Sequence, residues 1–159
     1  MAQEMTLDLF TTLQQAKDWL AHSVEDPEGA ICPCCERFDK VYSRKINNSS
    51  IRALASLHRY SRTGDAYHHY SDFVAKFQHG DFPKLQWLGL LERAPQDDKN
   101  KKTSGMYRIT GRGRAFVRGE VAIPERVVLY HNVLVGTDGD QKYIKDFWPD
   151  FNYAELMQA

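Results

Sequence analysis

The 159-residue sequence contains no apolar run that approaches the ~18 residues a membrane-crossing helix needs. Its first residues also lack the basic start and the apolar block of a signal peptide. Only three cysteines are present, all between positions 32 and 35, which is too few for a disulfide framework and fits a reducing compartment. These absences predict a cytoplasmic protein with no membrane partner.

Motifs of enzyme chemistry are also absent. The sequence has no Walker phosphate loop, no dinucleotide-binding glycine pattern, no HExxH and no nucleophile elbow. Gly111 and Gly113 form a Gly-x-Gly that is too short to cradle phosphates and is better explained by the start of a helix. His68 and His69 offer a base or a metal ligand, but no partner residue is evident. We therefore predict a protein that is not an enzyme and has no catalytic residues.

The chain carries no excess of one charge, because 21 basic residues balance 21 acidic ones. The charges are nevertheless unevenly placed. Residues 1–30 carry a net −5, residues 31–126 a net +8 and residues 127–159 a net −3. A basic middle between acidic ends is typical of a nucleic-acid-binding core with separate terminal elements. An ordinary solvated surface accounts equally well for the distribution, so both interpretations stay open.

The first element that the sequence does predict is an N-terminal helix. Thr11 and Gln14 fit a capping box, and apolar residues follow at helical spacing. We expect a helix from about residue 7 or 11 to residue 22, packed on the core or on a second subunit. A Pro and a Gly within residues 26–29 then predict a loop. Residues 1–30 are therefore assigned to an N-terminal helix and loop.

Residues 31–46 form the segment with the most distinctive chemistry. Cys32 and Cys35 stand in a Cys-x-x-Cys turn, which suits a tetrahedral zinc. A zinc ribbon needs a second such pair, which the sequence lacks. The remaining ligands would come from a second subunit or from Cys34, His58, His68, His69 or His79. Two other interpretations stay open: a metal-free turn with buried, inert thiols, and a redox pair, although no thioredoxin-like pattern surrounds it.

Three helices are predicted next. The first begins after the capping residues 47–50 and stops at Gly64, a good C-terminal residue. The second covers Ala66 to Phe77. The third has Asp81 as its N-cap and ends near Leu88.

A hairpin follows the third helix. Leu90 to Arg93 and Met106 to Thr110 have the composition and alternation of short strands, and residues 95–105 between them are polar and charged. Thr110 is then the candidate N-cap of a helix that should end at Gly119. The inward-facing positions of these elements predict one shared core, formed by Leu54, Leu85, Leu88, Leu91, Ile109 and Phe116.

Residues 121–159 are predicted to form a C-terminal antiparallel β-hairpin and a short helix. Arg126 to Val135 is rich in β-branched residues, and Asp138-Gly139 is a strong hairpin-turn signal before a second strand. Pro149 ends an aromatic segment, and a short helix should follow at residues 151–157.

The residues from Lys84 to Val117 carry a family resemblance. They read as a helix ending in Gly-Leu-Leu-Glu-Arg, then a hairpin, then Thr-x-x-Gly-x-x-Phe. This order resembles the bacterial winged-helix transcription factors of the MarR and PadR kind, over about residues 47–118. The resemblance implies an α+β fold with a winged helix-turn-helix core at residues 47–120, an N-terminal helix before it and the C-terminal hairpin after it.

A second resemblance is to small phage and prophage proteins with a Cys-Pro-x-Cys lead-in. The sequence is similar to them through residues 32–35, 84–92 and 107–116. This resemblance implies a phage or mobile-element origin and, for such a protein, the cytoplasm of the host cell. It does not imply a function.

The winged-helix resemblance implies a nucleic-acid site on the third helix and the hairpin loop, or wing. The helix before the wing would lie in the major groove of duplex DNA. Because this helix has few polar side chains for base edges, we expect mainly backbone contacts from the wing. The predicted nucleic-acid-binding residues are Lys84, Gln86, Lys99, Lys101, Lys102, Arg108, Arg112 and Arg114. The alternative is a protein-interaction module that inhibits or recruits a host protein, and a homodimer is compatible with either.

Overall fold

The computed structural model of the protein describes residues 1–74 and 81–158. The fold is α+β, with helices and antiparallel sheets. The helices are α1 (Leu13–Ser23), α2 (Asn48–Ser61), α3 (Tyr70–Phe73), a 3-10 helix (Phe82–Leu88), α4 (Gly111–Val117), α5 (Ile144–Phe147) and α6 (Tyr153–Gln158). The strands are β1 (Ala30–Ile31), β2 (Phe38–Asp39), β3 (Tyr42–Lys45), β4 (His68–His69), β5 (Leu91–Arg93), β6 (Met106–Ile109), β7 (Ile123–Tyr130) and β8 (Val133–Lys142). Among these helices of the described residues, none combines the length and the apolar composition that a membrane crossing requires.

The chain is divided into two compact units. Unit 1 contains residues 1–44 and 128–137, and unit 2 contains residues 45–127 and 138–159. The predicted N-terminal helix and the cysteine segment thus belong to one unit, while the C-terminal hairpin contributes to both. Unit 1 has four basic and eight acidic residues, and unit 2 has 17 basic and 13 acidic residues. The basic charge of the chain is therefore concentrated in unit 2.

In unit 1, the N-cap of α1 lies one residue after the predicted one. Thr12 is the N-cap, because its hydroxyl accepts from Gln15 N at 3.1 Å and Gln15 Oε1 accepts from Thr12 N at 2.7 Å. The predicted box of Thr11 and Gln14 is wrong. Thr11 belongs to the preceding turn, where its hydroxyl donates to Asp8 Oδ1 at 2.9 Å. The predicted helix itself is confirmed.

The cysteine segment of unit 1 begins with a small hairpin. β1 and β2 pair antiparallel with Ala30 opposite Asp39, and residues 32–37 form the turn between them. Gly29 precedes β1 with φ +78°, and a Cβ there would lie 2.6 Å from the ring of Phe38 and 2.7 Å from the carbonyl oxygen of Asp39. Only glycine fits this approach, so the predicted loop ends in a residue that the hairpin requires.

The predicted core of unit 2 is confirmed. α2 begins at the N-cap Asn47, whose side chain accepts from Ser50 N at 2.9 Å. One face of α2 packs against the 3-10 helix, β6 and α4. Every predicted core residue is buried, namely Leu54, Leu85, Leu88, Leu91, Ile109 and Phe116. The removal of this apolar surface from water is the dominant favourable term in the folding of such a unit.

The second predicted helix, Ala66 to Phe77, is wrong at its start. β4 lies there instead and pairs antiparallel with β6, with His68 opposite Tyr107. Only the one-turn helix α3 follows it, and residues 75–77 of the prediction lie outside the described residues. Pairing with a strand distant in sequence decides the structure of this segment, because the ladder satisfies backbone groups that a short helix would leave free.

The third predicted helix is present, but it is a 3-10 helix. Its buried residues Phe82, Leu85 and Leu88 are three positions apart, which matches the roughly three residues per turn of this helix type. Asp81 is the N-cap residue as predicted, but it has helical dihedral angles and its side chain makes no capping hydrogen bond. The carboxylate of Asp81 instead accepts from the side-chain amide of Asn47 at 3.0 Å.

The hairpin after the 3-10 helix is confirmed. β5 and β6 pair antiparallel, and residues 94–105 form the loop between them, which we call the β5–β6 loop. The N-cap of α4 is Thr110 as predicted, because its hydroxyl accepts from Gly113 N at 3.0 Å. Gly119, in the left-handed conformation with φ +80°, follows the end of this helix, as the sequence predicted.

The C-terminal region contains the predicted hairpin and short helix, with the hairpin turn at a different place. β7 lies between β3 and β8 in a three-stranded sheet. The turn from β7 to β8 is His131-Asn132, where φ is positive at both residues (49° and 62°), as this type of two-residue turn requires. The predicted turn at Asp138-Gly139 is wrong, since β8 runs through it. Gly139 is favoured for another reason, because its φ is +81° and a Cβ there would also overlap the side chain of Glu125.

Candidate nucleic-acid interface

The β5–β6 loop carries the three predicted lysines of the interface. Lys99, Lys101 and Lys102 are all exposed. Lys101 Nζ lies 4.0 Å from Asp98 Oδ2, and a pair of exposed groups at this distance contributes little to stability. Within the described part of the chain, no ion pair involves Lys99 or Lys102. The loop therefore presents cations that the protein itself does not neutralise.

Arg108 lies on β6, at the base of this loop. Its guanidinium lies 4.8 Å from the ring centre of Tyr67, and its Nε donates to Glu92 Oε2 at 2.6 Å. Glu92 is its direct neighbour across the β5–β6 pair. The hydrogen bond to Glu92 is the main cause that raises the pKa of Arg108. Because this ion pair compensates its charge, Arg108 would bind a phosphate only in competition with Glu92.

Lys84 and Gln86 lie on the 3-10 helix and are half-buried. The ammonium group of Lys84 forms an ion pair with Asp81, and only 18% of the Lys84 side chain is exposed. Base edges in the major groove are recognised by donors and acceptors that reach out from a helix. A seven-residue 3-10 helix with these two polar side chains offers few such groups.

Arg112 and Arg114 are two residues apart in α4 and contact different parts of unit 2. Arg112 Nε donates to the carbonyl oxygen of Leu88 at 3.0 Å, at the end of the 3-10 helix. Arg114 donates to the carbonyl oxygens of Gly64, at 2.7 Å, and of Arg62, just after α2. Cationic side chains stabilise helix C-termini, where the last carbonyl oxygens lack intrahelical partners. Both arginines thus have a structural role, although a carbonyl group leaves their charge uncompensated.

The sequence did not predict a cavity at the C-terminal end of α2. This cavity has a volume of about 460 Å³, and its lining includes His58, Arg62, Arg114 and Tyr153. His58 is 3% exposed, and its Nε2 lies 3.0 Å from the hydroxyl of Tyr153. The lining residues come from distant parts of the sequence, so no local motif connects them. Of the predicted nucleic-acid-binding residues, Arg114 lies in this lining.

The cysteine turn of unit 1 holds three free thiols. Cys32 N donates to the carbonyl oxygen of Arg37 at 2.8 Å and closes the turn. Backbone hydrogen bonds from Cys34 and then from Cys35 lower the pKa of the Cys32 thiol, since N–H donors stabilise the thiolate. Cys34 and Cys35 are exposed, so the interpretation of the segment as buried, inert thiols is wrong.

The cysteine turn fits part of a zinc site. Thiolate sulfur is a preferred zinc ligand, and the turn stabilises Cys32 as a thiolate with Cys35 within hydrogen-bond reach. Across residues 1–74 and 81–158, however, no three His, Cys, Asp or Glu side chains are grouped so that they would hold a metal ion. His79, one of the predicted additional ligands, lies outside the described residues. The residues that are described supply thiolates for part of a tetrahedron and not its remaining ligands.

Asp39, at the end of the cysteine hairpin, is the acceptor in a small polar cluster. Tyr130 donates its hydroxyl to Asp39 Oδ2 at 2.7 Å, and His131 Nε2 donates to the same oxygen at 3.0 Å. Burial opposes ionisation of Asp39, but the bonds from Tyr130 and His131 outweigh it and lower the pKa of this carboxyl. Burial, and then the hydrogen bond to Asp39, raises the pKa of Tyr130 to about 12. The cluster holds the turn between β7 and β8 against β2.

The chemistry that these groups permit can be stated from their geometry. Exposed lysines on a loop suit the phosphates of a polyanion, because such contacts need charge and reach rather than exact placement. The two arginines of α4 act first as helix caps, and the 3-10 helix is poor in base-reading groups. No protein-family model, no curated protein and no solved structure matches the chain.

Proposed function

We propose that unit 2 is a winged-helix module that binds nucleic acid, with duplex DNA as the expected partner. Its elements support this proposal: α2, α3, the 3-10 helix, the β5–β6 hairpin and α4 follow in the order that the resemblance to MarR- and PadR-type proteins implies. The observation that carries the proposal is the exposed β5–β6 loop, whose Lys99 and Lys102 have no ion-pair partner among the described residues. The net positive charge of unit 2 also favours the binding of a polyanion.

Binding through the backbone, rather than by reading of bases, is what these side chains support. Lys84 is paired with Asp81 on a short 3-10 helix, whereas the loop lysines extend into solvent. Contacts from lysine to phosphate position a protein on the duplex and carry no sequence information. A protein of this kind, encoded by a phage or mobile element, would bind DNA of many sequences with similar affinity.

A salt titration of binding to random-sequence duplex DNA tests this function. Affinity should fall by about 0.9 log units per log unit of salt for each phosphate neutralised. The double variant Lys99→Ala/Lys102→Ala should lower the salt slope by about 2 and weaken binding to all sequences alike. Lys17→Ala, which removes an exposed lysine of α1 in unit 1, is the matched control and should leave the slope unchanged. Absence of binding at about 50 mM salt and micromolar protein would exclude the proposal.

A second candidate function, binding of a protein partner, is supported by unit 1. Of the eleven large apolar side chains that are exposed among the described residues, nine lie in this unit. Leu9 is 98% exposed and Phe10 is 88% exposed. Leu9 and Phe10 are neighbours in sequence, and adjacent exposed apolar side chains are a candidate protein-binding surface. The partner would be a host protein that is inhibited or recruited, or a second copy of the chain.

The double variant Leu9→Ser/Phe10→Ser separates the two functions. It should abolish self-association, measured by light scattering during gel filtration, or the capture of a host protein. It should leave the salt slope of DNA binding by unit 2 unchanged. Loss of DNA binding in this variant, with the fold intact by circular dichroism, would count against the division of roles between the units.

A further inference from the structure

Two adjacent cavities of unit 2 lie apart from the β5–β6 loop. The basic cavity, of about 460 Å³, is lined by His58, Arg62, Arg114, Arg118 and Tyr153 among others. The aromatic cavity, of about 580 Å³, has Tyr143, Ile144, Phe151 and Asn152 in its lining. Arg118 and Tyr153 line both, so the two cavities lie next to each other. Each has the volume of a small-molecule site, which is typically about 300–1,000 Å³.

The basic cavity has the charge of an anion site. Three guanidinium groups line it, and no acidic side chain does so among the described residues. The hydrogen bonds of Arg114 go to two carbonyl oxygens and to the hydroxyl of Ser61, and they leave its charge uncompensated. Arg118 pairs with Glu120 through two hydrogen bonds of 3.0 Å, but both side chains are exposed, and such surface pairs are weak. An anion in the cavity can therefore displace Glu120 from Arg118.

His58 adds an independent observation. It is 3% exposed and, within the described part of the chain, its Nδ1 is a buried polar atom without a hydrogen-bond partner. Its Nε2 is 3.0 Å from the hydroxyl of Tyr153. Burial, and then the charges of Arg114 and Arg118, lower the pKa of His58 to about 4. Buried polar groups are almost always satisfied, and His58 lines the basic cavity, so its unpartnered nitrogen supports a ligand site there.

We propose that the two cavities together bind a phosphorylated nucleoside, with its phosphate against Arg62, Arg114 and Arg118 and its base beside Tyr143. Guanidinium groups bind phosphate oxygens through paired, charge-assisted hydrogen bonds. The ring of Tyr143, which is 50% exposed, provides a stacking surface. The side-chain NH2 group of Asn152 supplies a donor for the edge of a base, while its Oδ1 accepts from Glu155 N at 3.2 Å. This site goes beyond nucleic-acid binding by the β5–β6 loop and is tested separately from it.

Calorimetric titration of the full-length protein with adenosine 5′-monophosphate, inorganic phosphate and adenosine tests the site. The nucleotide should bind more tightly than either part alone. Arg62→Ala and Arg118→Ala should each raise the Kd of the nucleotide and of phosphate about tenfold. Tyr143→Ala should raise the Kd of the nucleotide about fivefold or more and leave that of phosphate unchanged. The matched control is Arg59→Ala, which removes an exposed arginine of α2 that lines neither cavity and should change neither Kd.

A second measurement uses the unaltered protein, so it does not depend on the folding of a variant. The ring resonances of His58, followed by NMR, should shift on addition of the nucleotide, and the pKa of His58 should rise because the phosphate offsets the charges of Arg114 and Arg118. Equal affinities for adenosine and for the nucleotide, or no effect of the Arg62 and Arg118 variants, would overturn the proposal. It would also be overturned if these variants weakened duplex binding while the nucleotide did not bind, because the cavity would then hold a polynucleotide backbone. If the Lys99→Ala/Lys102→Ala variant did not change binding to duplex DNA, by contrast, only the nucleic-acid-binding function proposed above would be contradicted.

Discussion

Arg114 donates a hydrogen bond of 2.7 Å to the carbonyl oxygen of Gly64, 50 positions earlier in the chain. Arg114 also donates to the carbonyl oxygen of Arg62 and, at 3.3 Å, to the hydroxyl of Ser61 in the last turn of α2. One side chain of α4 thus satisfies acceptors at the end of α2 and holds the two helices together. The pairing explains why a cationic residue stands at position 114.

Replacement of Arg114 by Ala should lower the free energy of unfolding by about 1–3 kcal/mol, because several acceptors lose a charged donor at once. Arg112→Ala is the matched comparison. It removes a single bond to the carbonyl of Leu88, so the expected loss is about 1 kcal/mol. Urea unfolding of both variants measures the difference. An equal loss of unfolding free energy in the two variants would contradict a stabilising contribution from the additional hydrogen bonds of Arg114.

Gly113→Ala should destabilise the protein by about 3 kcal/mol or more, because the new Cβ would overlap the backbone carbonyl of Leu90, which cannot move aside cheaply. Gly111, two residues earlier in α4, has open space around it. Gly111→Ala should therefore be neutral or stabilise by up to about 1 kcal/mol, since it restricts the unfolded chain. Thermal unfolding of the pair decides the matter, and a loss of similar size at Gly111 would contradict the close approach at Gly113.

Stability should fall between about pH 6.5 and pH 4 through His58. Its pKa is lowered to about 4 by burial and by Arg114 and Arg118, whereas an unfolded histidine has a pKa of about 6.5. The unfolded chain therefore binds more protons in this window, and the stability present at neutral pH is lost as the pH falls through it, on the order of 3 kcal/mol. His58→Gln should remove this contribution, so the difference between the two unfolding profiles isolates it. Parallel profiles for the two proteins would show that His58 is not buried as described.

Cys32 should be alkylated by iodoacetamide faster than an ordinary exposed thiol at about pH 7, because backbone donors from Cys34 and Cys35 lower its pKa. Cys35→Ser removes one thiol contact and keeps the backbone donors, so most of the reactivity of Cys32 should remain. Peptide mapping by mass spectrometry after brief alkylation measures each site. Preferential labelling of the more exposed Cys34 would show that exposure outweighs the pKa difference.

Protein purified without chelator should contain essentially no zinc. The described residues bring thiolates together at Cys32 and Cys35 but not the other ligands of a tetrahedral site. Elemental analysis measures the content. One zinc per chain or per dimer, lost in Cys32→Ser, would contradict the expectation and identify a structural site completed by a second copy or by residues outside those described.

Much of unit 2 could be predicted because its signals are local. The hydroxyl of Thr110, the glycine at position 119 and the polar run between two alternating segments define the hairpin and α4 without reference to the rest of the chain. The buried residues of the 3-10 helix, Phe82, Leu85 and Leu88, are spaced by three in the sequence. Over so short a length an α-helix shows the same spacing, so the sequence predicts a helix here but not its type.

What could not be predicted depends on contacts between distant residues. His68 joins a sheet because Tyr107 lies opposite it, and no local feature of its segment indicates a strand. Asp138-Gly139 has the stronger turn composition, yet the turn lies at His131-Asn132. The glycine at position 139 leaves room for the side chain of Glu125. The basic run after the hairpin suggested an interface, while two of its arginines cap helices far away in the sequence. The number of charged residues can be counted from a sequence, but the contacts that each charged side chain makes depend on the fold.

The β5–β6 loop is closed at its base by the backbone, where Ala94 N donates to the carbonyl oxygen of Met106 at 2.9 Å. Since the entropy of loop closure grows slowly with length, doubling the loop would cost only about 0.6 kcal/mol. The residues that bury α2 lie outside the loop. Position 100 is therefore a suitable insertion point, where a longer recognition segment or a tag can be added without loss of the surrounding fold.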